Sequence, residues 1–395
     1  MTVEPLKGIR IVEVTTNASG PFATGILADQ GADVIRLETV GRGDPSRYVG
    51  GVRGGVTGYN AAMNRNKRSL AVDLKNPQLR PVLIELIKTA DVFVQNSRPG
   101  ALDRSGYGYE DLHDINPDLI YVSISGFGPD GPAAHQRVYD PVIQVTAGFA
   151  AVQGVGGKPE LVKTIASDKI AALTTAQAIS SALFARASGR VRGHHIEVSM
   201  LEASLQFLWP DAFWNHGFVG AEGFQPKPLL AEFYRVLATA DGFVTTIVVG
   251  DEEFKGACRA LELPHLLDES RYASIFERFS NYSELLVTFE GKTRILTTAE
   301  VVARMDREGV PCGKVNTLDE VIEDPRVRHA GALIEYDDPR GGRLRQTRPA
   351  AIFAGEPCTV RRPAPALGEH TDEVLKSVGC SDADIAALRA AGAIG

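Results

Sequence analysis

Branched apolar residues concentrate in Gly8-Ile-Arg-Ile-Val-Glu-Val14, the content of a buried strand, and Pro21 to Gln30 then follows a helical pattern with proline in its first turn. Gly31 stops the helix, and Ala32-Asp-Val-Ile-Arg-Leu-Glu38 reads as a second strand. A strand, a helix and a strand in so few residues form a β-α-β unit, whose crossover makes the strands parallel. The rhythm continues with a strand at Ser69–Asp73, a helix at Pro77–Thr89, a strand at Asp91–Asn96, a helix at Tyr109–Asn116 and a strand at Leu119–Ser125. This alternation predicts an α/β fold, a doubly wound Rossmann-like parallel sheet with ligands beyond the carboxyl ends of its strands. The loops after Val14, Asn96 and Ser125 are therefore the places for a site.

From Lys169 to Ala187 a long helical pattern runs through Ile170, Leu173, Ile179 and Leu183 and ends at Ser188-Gly189. Leu205–Pro228 holds both tryptophans with glycine and proline and shows no clear period, which suits a crossing segment or an oligomer contact. Phe243–Val249 opens a second unit with helices near Glu252–Leu261 and Thr298–Glu308. Leu333–Tyr336 and Gly342–Arg345 flank a hairpin turn, and a final helix covers Asp382–Ala391. The expected organisation is a large α/β domain over residues 1–205, to which residues 330–395 return, a crossing segment at 206–228 and a smaller α+β domain at 229–329.

The length of 395 residues agrees with two domains. With 44% hydrophobic and 23% charged residues and no long apolar run, the chain reads as soluble, with no membrane partner. Residues Met1–Lys7 lack the pattern of a signal peptide, so the cytoplasm is the expected location. A formal net charge of −7 argues against nucleic acid as a partner. Four cysteines without a CxxC pair and eight histidines without HxxxH or HExxH spacing argue against a disulfide framework and a metal site.

What remains for chemistry is a set of anion-binding loops and carboxylates. Thr15-Thr-Asn-Ala-Ser-Gly-Pro21 brings backbone N–H groups to a helix start, where an anion is favoured, although GxGxxG is lacking and Gly154-Val-Gly-Gly157 stands outside the opening unit. Asn64-Arg-Asn-Lys-Arg-Ser69 suits either a phosphate or a solvated loop. Asp168, in Ala166-Ser-Asp-Lys169, has two local readings: a cap on the following helix, or a carboxylate held at a helix N-terminus and aimed at a thioester.

These segments together resemble the family III CoA-transferases of the formyl-CoA transferase type. The resemblance is carried by Gly8-Ile-Arg-Ile-Val-Glu-Val, Gly31-Ala-Asp-Val-Ile-Arg-Leu-Glu, Asn66-Lys-Arg-Ser, Arg98-Pro-Gly-Ala-Leu-Asp-Arg-Ser-Gly106, Ser125-Gly-Phe-Gly-Pro-Asp-Gly-Pro132, Ser167-Asp-Lys, Val198-Ser-Met-Leu-Glu-Ala203 and Val310-Pro-Cys-Gly-Lys-Val315, through almost the whole chain. It implies CoA transfer from an acyl-CoA donor to a carboxylic acid, with Asp168 as nucleophile and aspartyl anhydride and aspartyl-CoA thioester intermediates. By the same resemblance Asn17, Ala18, Lys67, Asn96 and Arg104 contact CoA. Arg137, Tyr139 and Asp140 neighbour the nucleophile, and Gly250 belongs to a mobile covering loop. CoA thioesters are then substrates, no cofactor is bound permanently, and the fold is an interlocked homodimer.

Ala18 stands where formyl-CoA transferase has glutamine, and the glycine-rich cover loop is reduced to Gly250-Asp251. Two rivals share the resemblance. An α-methylacyl-CoA racemase would need a second acid/base group, and Tyr139 occupies the place of its histidine. A non-catalytic acyl-CoA-binding dimer would use Asp168 only as a cap.

Overall fold

The structure, a computed structural model, describes residues 3–154, 157–220 and 222–395. Val155 and Gly156 of the Gly154–Gly157 run lie outside them. The chain divides into two compact units, Met1–Phe207 with Arg328–Gly395, and Leu208–Val327.

The first unit begins β1 (Arg10–Val14), α1 (Ser19–Asp29), β2 (Asp33–Thr39), α2 (Gly58–Asn64) and β3 (Arg68–Val72). It continues α3 (Arg80–Lys88), β4 (Val92–Gln95), α4 (Tyr109–Ile115), β5 (Ile120–Ser125), α5 (Asp140–Ala147), α6 (Ala166–Ala187) and β6 (His194–Ser199). The six strands form one sheet in the order β3-β2-β1-β4-β5-β6, and every neighbouring pair is parallel. The strand order reverses at β1 and β4, where Ile11 pairs with both Val34 and Val92. In such sheets the crevice outside this reversal receives ligands.

Alternation along β1 sends Ile11 and Val12 to opposite faces, both fully buried. On Ile11's face the core includes Leu27 of α1 and Ala171, Ile179 and Leu183 of α6. On Val12's face it includes Leu83 of α3 and Leu112 of α4, together with Val374 and Ile385 from the C-terminal segment. Residues near the C-terminus therefore complete the core of the first unit.

The helix α7 (Met200–Ala212) runs through the start of the stretch expected to lack regular structure. Met200, Ala203, Ser204, Leu208 and Ala212 are buried at helical spacing, whereas Phe207 and Trp209 are 59% and 49% exposed. Aromatic residues on the outer side, and Pro210 within the helix, hid the period.

In the second unit β7 (Val236–Ala238), β8 (Phe243–Thr246) and β9 (Cys312–Lys314) make an antiparallel sheet in the order β9-β8-β7. It shares a core with α8 (Asp251–Ala260), α9 (Tyr282–Thr293) and α10 (Thr298–Arg307), through Val244, Phe254, Phe289 and Val301. After this unit the chain forms the hairpin of β10 (Leu333–Asp338) and β11 (Gly342–Thr347), then α11 (Thr371–Ser377) and α12 (Asp382–Ala390). No helix among the described residues is long and apolar enough to cross a membrane.

Candidate active site at the start of helix α6

The loop joining β1 to α1 is fixed from both sides of the strand reversal. The Asn96 side chain, just past β4, accepts from the Thr16 N–H at 2.9 Å and donates to the Thr16 carbonyl at 2.8 Å. Asn17 has φ of 61°, a left-handed conformation that asparagine tolerates, and its N–H donates to Asp44 at 2.9 Å. Gly20 is required here, because a Cβ would lie 2.5 Å from the Thr15 side chain.

Helix α1 has Ala18 at its cap position, which supplies no side-chain acceptor for the first-turn N–H groups. The anion nearest this helix start is the chain's own Asp168 carboxylate, whose charged form the hydroxyl and the backbone N–H of Ser19 favour. The anion-favouring loop is thus where the sequence places it. Ser19 is a site residue that the sequence reading did not single out.

Asp168 is the third residue of α6 and not its cap. The helix starts at Ala166 after Ile165, with no capping side chain. The capping expectation is therefore corrected: it is Asp140, at the first position of α5, that accepts the Asp168 N–H, at 3.1 Å. Asp140 is buried and also accepts from Gln144 Nε2 at 2.5 Å. Burial, then the nearby charge of Asp140, pushes the Asp168 carboxyl up to about 6, against the Ser19 hydrogen bonds. Among the described residues neither aspartate enters an ion pair.

Asp168 faces a cavity of about 440 Å³. Phe22 of α1, Tyr59 and Met63 of α2, and Ile165 line it together with Ala18. Gly25 lets α1 approach α2, since a Cβ there would meet the Met63 carbonyl at 2.5 Å. Burial first, then the charge of Asp168, pushes the Tyr59 phenol up to about 12, so it stays a neutral donor. A second hollow, about 760 Å³, follows the carboxyl ends of β1, β2 and β3 past Thr16, Thr39, Asp73, Lys75 and Ser105.

Lys67 does not reach either space. Its side chain is wholly buried, and its ammonium bonds Glu13 (2.9 Å), the Pro21 carbonyl (2.7 Å), Thr24 (2.8 Å) and Asn64 (3.0 Å). The expected CoA contact is corrected, because four internal oxygens already surround the charge. Arg104 is exposed in a short 3-10 turn, and Arg137 and Tyr139 are exposed before α5. Gly250 lies in the second unit as the cap of α8, where its N–H donates to Glu253 at 2.9 Å.

The parallel sheet and the carboxylate at its open end define a class, and the sequence match defines the family. The chain belongs to CoA-transferase family III, whose pattern it matches over residues 6–371, and it is a CoA-transferase. It is 32% identical over 379 residues to succinyl-CoA:glutarate CoA-transferase of Homo sapiens, covering 95% of this chain and 86% of the relative. Formyl-CoA:oxalate CoA-transferase of Afipia carboxidovorans is 32% identical over 421 residues, covering 99% of this chain and 97% of the relative. A CAIB/BAIF family protein from Brucella suis superposes with a TM-score of 0.81 at 30% identity, covering 96% of this chain and all of that one.

Proposed function

We propose that the enzyme moves CoA from an acyl-CoA donor to a carboxylic acid through covalent intermediates on Asp168. The observation that carries this reading is a carboxylate beside an apolar cavity, held at a helix start, with a second carboxylate as its neighbour and no ion pair to either among the described residues. A carboxylate is a weak nucleophile, and its strength rises with its pKa. At about 6 the group is more basic than an ordinary aspartate yet about nine-tenths ionised at pH 7.

In the first step an Asp168 oxygen bonds to the thioester carbonyl carbon, the C–S bond breaks, and the CoA thiolate leaves a mixed anhydride. The thiolate then attacks the aspartyl carbonyl, expelling the donor's carboxylate and forming an aspartyl-CoA thioester. The acceptor carboxylate attacks that thioester, releasing the thiolate and a new anhydride. Attack of the thiolate on the new acyl carbonyl gives the product thioester and frees Asp168. Each step exchanges one nucleophile for one leaving group, so no net proton transfer is needed. The Ser19 N–H and hydroxyl, already directed at Asp168, suit the oxyanions that develop.

CoA's nucleotide part takes the hollow along β1, β2 and β3 in this reading, with Asn17, Asn96 and Arg104 next to its lining and Ala18 in the wall of the neighbouring acyl cavity. Arg137 and Tyr139 act near the nucleophile, and the working form is an interlocked homodimer. A racemase would need a second acid/base group titrating near neutrality; Tyr59, pushed up to about 12, does not supply one.

The test is CoA exchange between several acyl-CoA donors and a panel of carboxylic acids, with wild type and Asp168→Ala in parallel. Transfer by wild type, lowered at least roughly a thousandfold in the variant, is expected. Intact-mass analysis of the wild type should show a CoA adduct on the peptide holding Asp168. Transfer that persists in Asp168→Ala would overturn the assignment.

A further inference from the structure

If Asp168 is the nucleophile proposed above, its cavity receives the acyl group, and the walls of that cavity select which acid is used. Phe22, Met63, Ile165 and Ala62 present carbon to the space, and the polar surface of the lining is slight. Among the described residues the one cation in the lining is Lys169, which is exposed and whose ammonium bonds the Thr164 hydroxyl at 2.9 Å. A carboxylate at the far end of a diacid would be stripped of water against these side chains, with the Tyr59 hydroxyl and the solvent-facing Lys169 among the polar groups of the lining, close to the negative charge of Asp168 and Asp140. Burying an unpaired charge is strongly unfavourable, and like charges oppose it further. An aliphatic group instead gains from leaving water.

The cavity's 440 Å³ lies at the low end of ligand-site volumes. It has room for roughly ten non-hydrogen atoms, allowing for its open side, and so for an acyl group without the body of CoA.

We infer that this enzyme works on carboxylic acids with an uncharged aliphatic body of intermediate length and discriminates against dicarboxylic acids. The human relative, by its name, uses succinyl-CoA and glutarate; this chain uses acids of the other kind. Met63 and Ala62 set the depth available to the chain. Ala62 is exposed on α2, so enlarging it leaves the fold intact.

The experiment measures CoA transfer from acetyl-, butyryl-, hexanoyl-, succinyl- and glutaryl-CoA to labelled propionate. From acetyl to hexanoyl, kcat/KM should rise about fourfold for each methylene buried. Butyryl-CoA should exceed succinyl-CoA at least tenfold. In Ala62→Phe the hexanoyl-to-acetyl ratio should fall at least tenfold. A preference for succinyl over butyryl that disappears in Lys169→Met would overturn the inference and assign Lys169 to a distal carboxylate. An unchanged ratio in Ala62→Phe would overturn it as well.

If no donor transfers CoA, the transferase mechanism fails while the cavity can still be read. Calorimetric titration of the five thioesters then decides, through tighter binding of hexanoyl-CoA than succinyl-CoA or its absence.

Discussion

Two groups of buried acids in the first unit are treated in opposite ways. Under the ends of β1 and β2, Glu13, Glu38 and Asp44 are matched by Arg36, Lys67 and Arg47. Arg36 pairs with Asp44 at 3.0 Å, Lys67 with Glu13 at 2.9 Å and Arg47 with Glu38 at 2.6 Å. Burial works to raise the Glu38 carboxyl, but Arg36 and Arg47 outweigh it and hold the group at about 2. At the start of α6, the Asp140 carboxylate accepts the Asp168 amide N–H, no cation pairs with either acid among the described residues, and the Asp168 carboxyl is pushed up to about 6. Matched charges stay charged and hold the chain together, whereas an unmatched acid holds its proton to higher pH.

The largest loss should come from breaking the matched group. Lys67→Met removes the 2.9 Å partner of the buried Glu13, leaving it the weaker pairing with Arg36 at 3.7 Å, and should cost about 3 kcal/mol in stability, read from the urea midpoint. The double variant Glu13→Gln with Lys67→Met should recover part of that loss. If Lys67 served CoA instead, the single variant would fold normally and lose only acyl-CoA affinity.

The unmatched pair should respond in the other direction. The folded state holds the Asp168 pKa above its unfolded value, so the ionised form is penalised on folding. The penalty grows as pH rises from about 4 and is complete above about 6. Asp168→Asn, which keeps an acceptor for Ser19, should therefore stabilise the protein by about 3 kcal/mol at pH 7, and the gain should fade as pH falls toward 4. A variant less stable than wild type at pH 7 would mean that the carboxylate is structural.

The smallest effect sharpens the comparison inside the pair. In wild type, kcat/KM for an acyl-CoA should rise tenfold per pH unit below about 6 and level off above 7, as Asp168 ionises. Asp140→Asn removes the neighbouring charge, so the rising limb should move to lower pH. A limb that stays in place would show that burial alone sets the pKa.

Much of this was legible before any coordinates. The parallel strands were readable because strands buried on both faces are continuous apolar runs, as in Ile11-Val12 and Val92-Phe93-Val94. Loop Thr15–Pro21 and Asn96 were placed at the sheet end because a doubly wound sheet has its crevice there. Lys67 misled because a basic cluster before a strand looks alike whether its ammonium meets solvent, a phosphate or Glu13. Ser19 was missed because a serine at a helix start is read as ordinary local structure, and only α6 passing beside α1 gives it a carboxylate to bind.

The sequence alone determined the β-α-β rhythm, the helix starts and the family motifs, since hydrophobic period and turn chemistry act over a few residues. It could place a carboxylate at residue 168, but both local readings of that carboxylate were open. Tertiary structure removed the cap reading and gave the carboxylate its surroundings, by bringing Asp140 to the Asp168 N–H and Ser19 to its carboxylate across 28 and 149 residues of sequence. Desolvation and like charge depend on what lies across space, so whether an aspartate caps, pairs or reacts is settled by its neighbours in the fold.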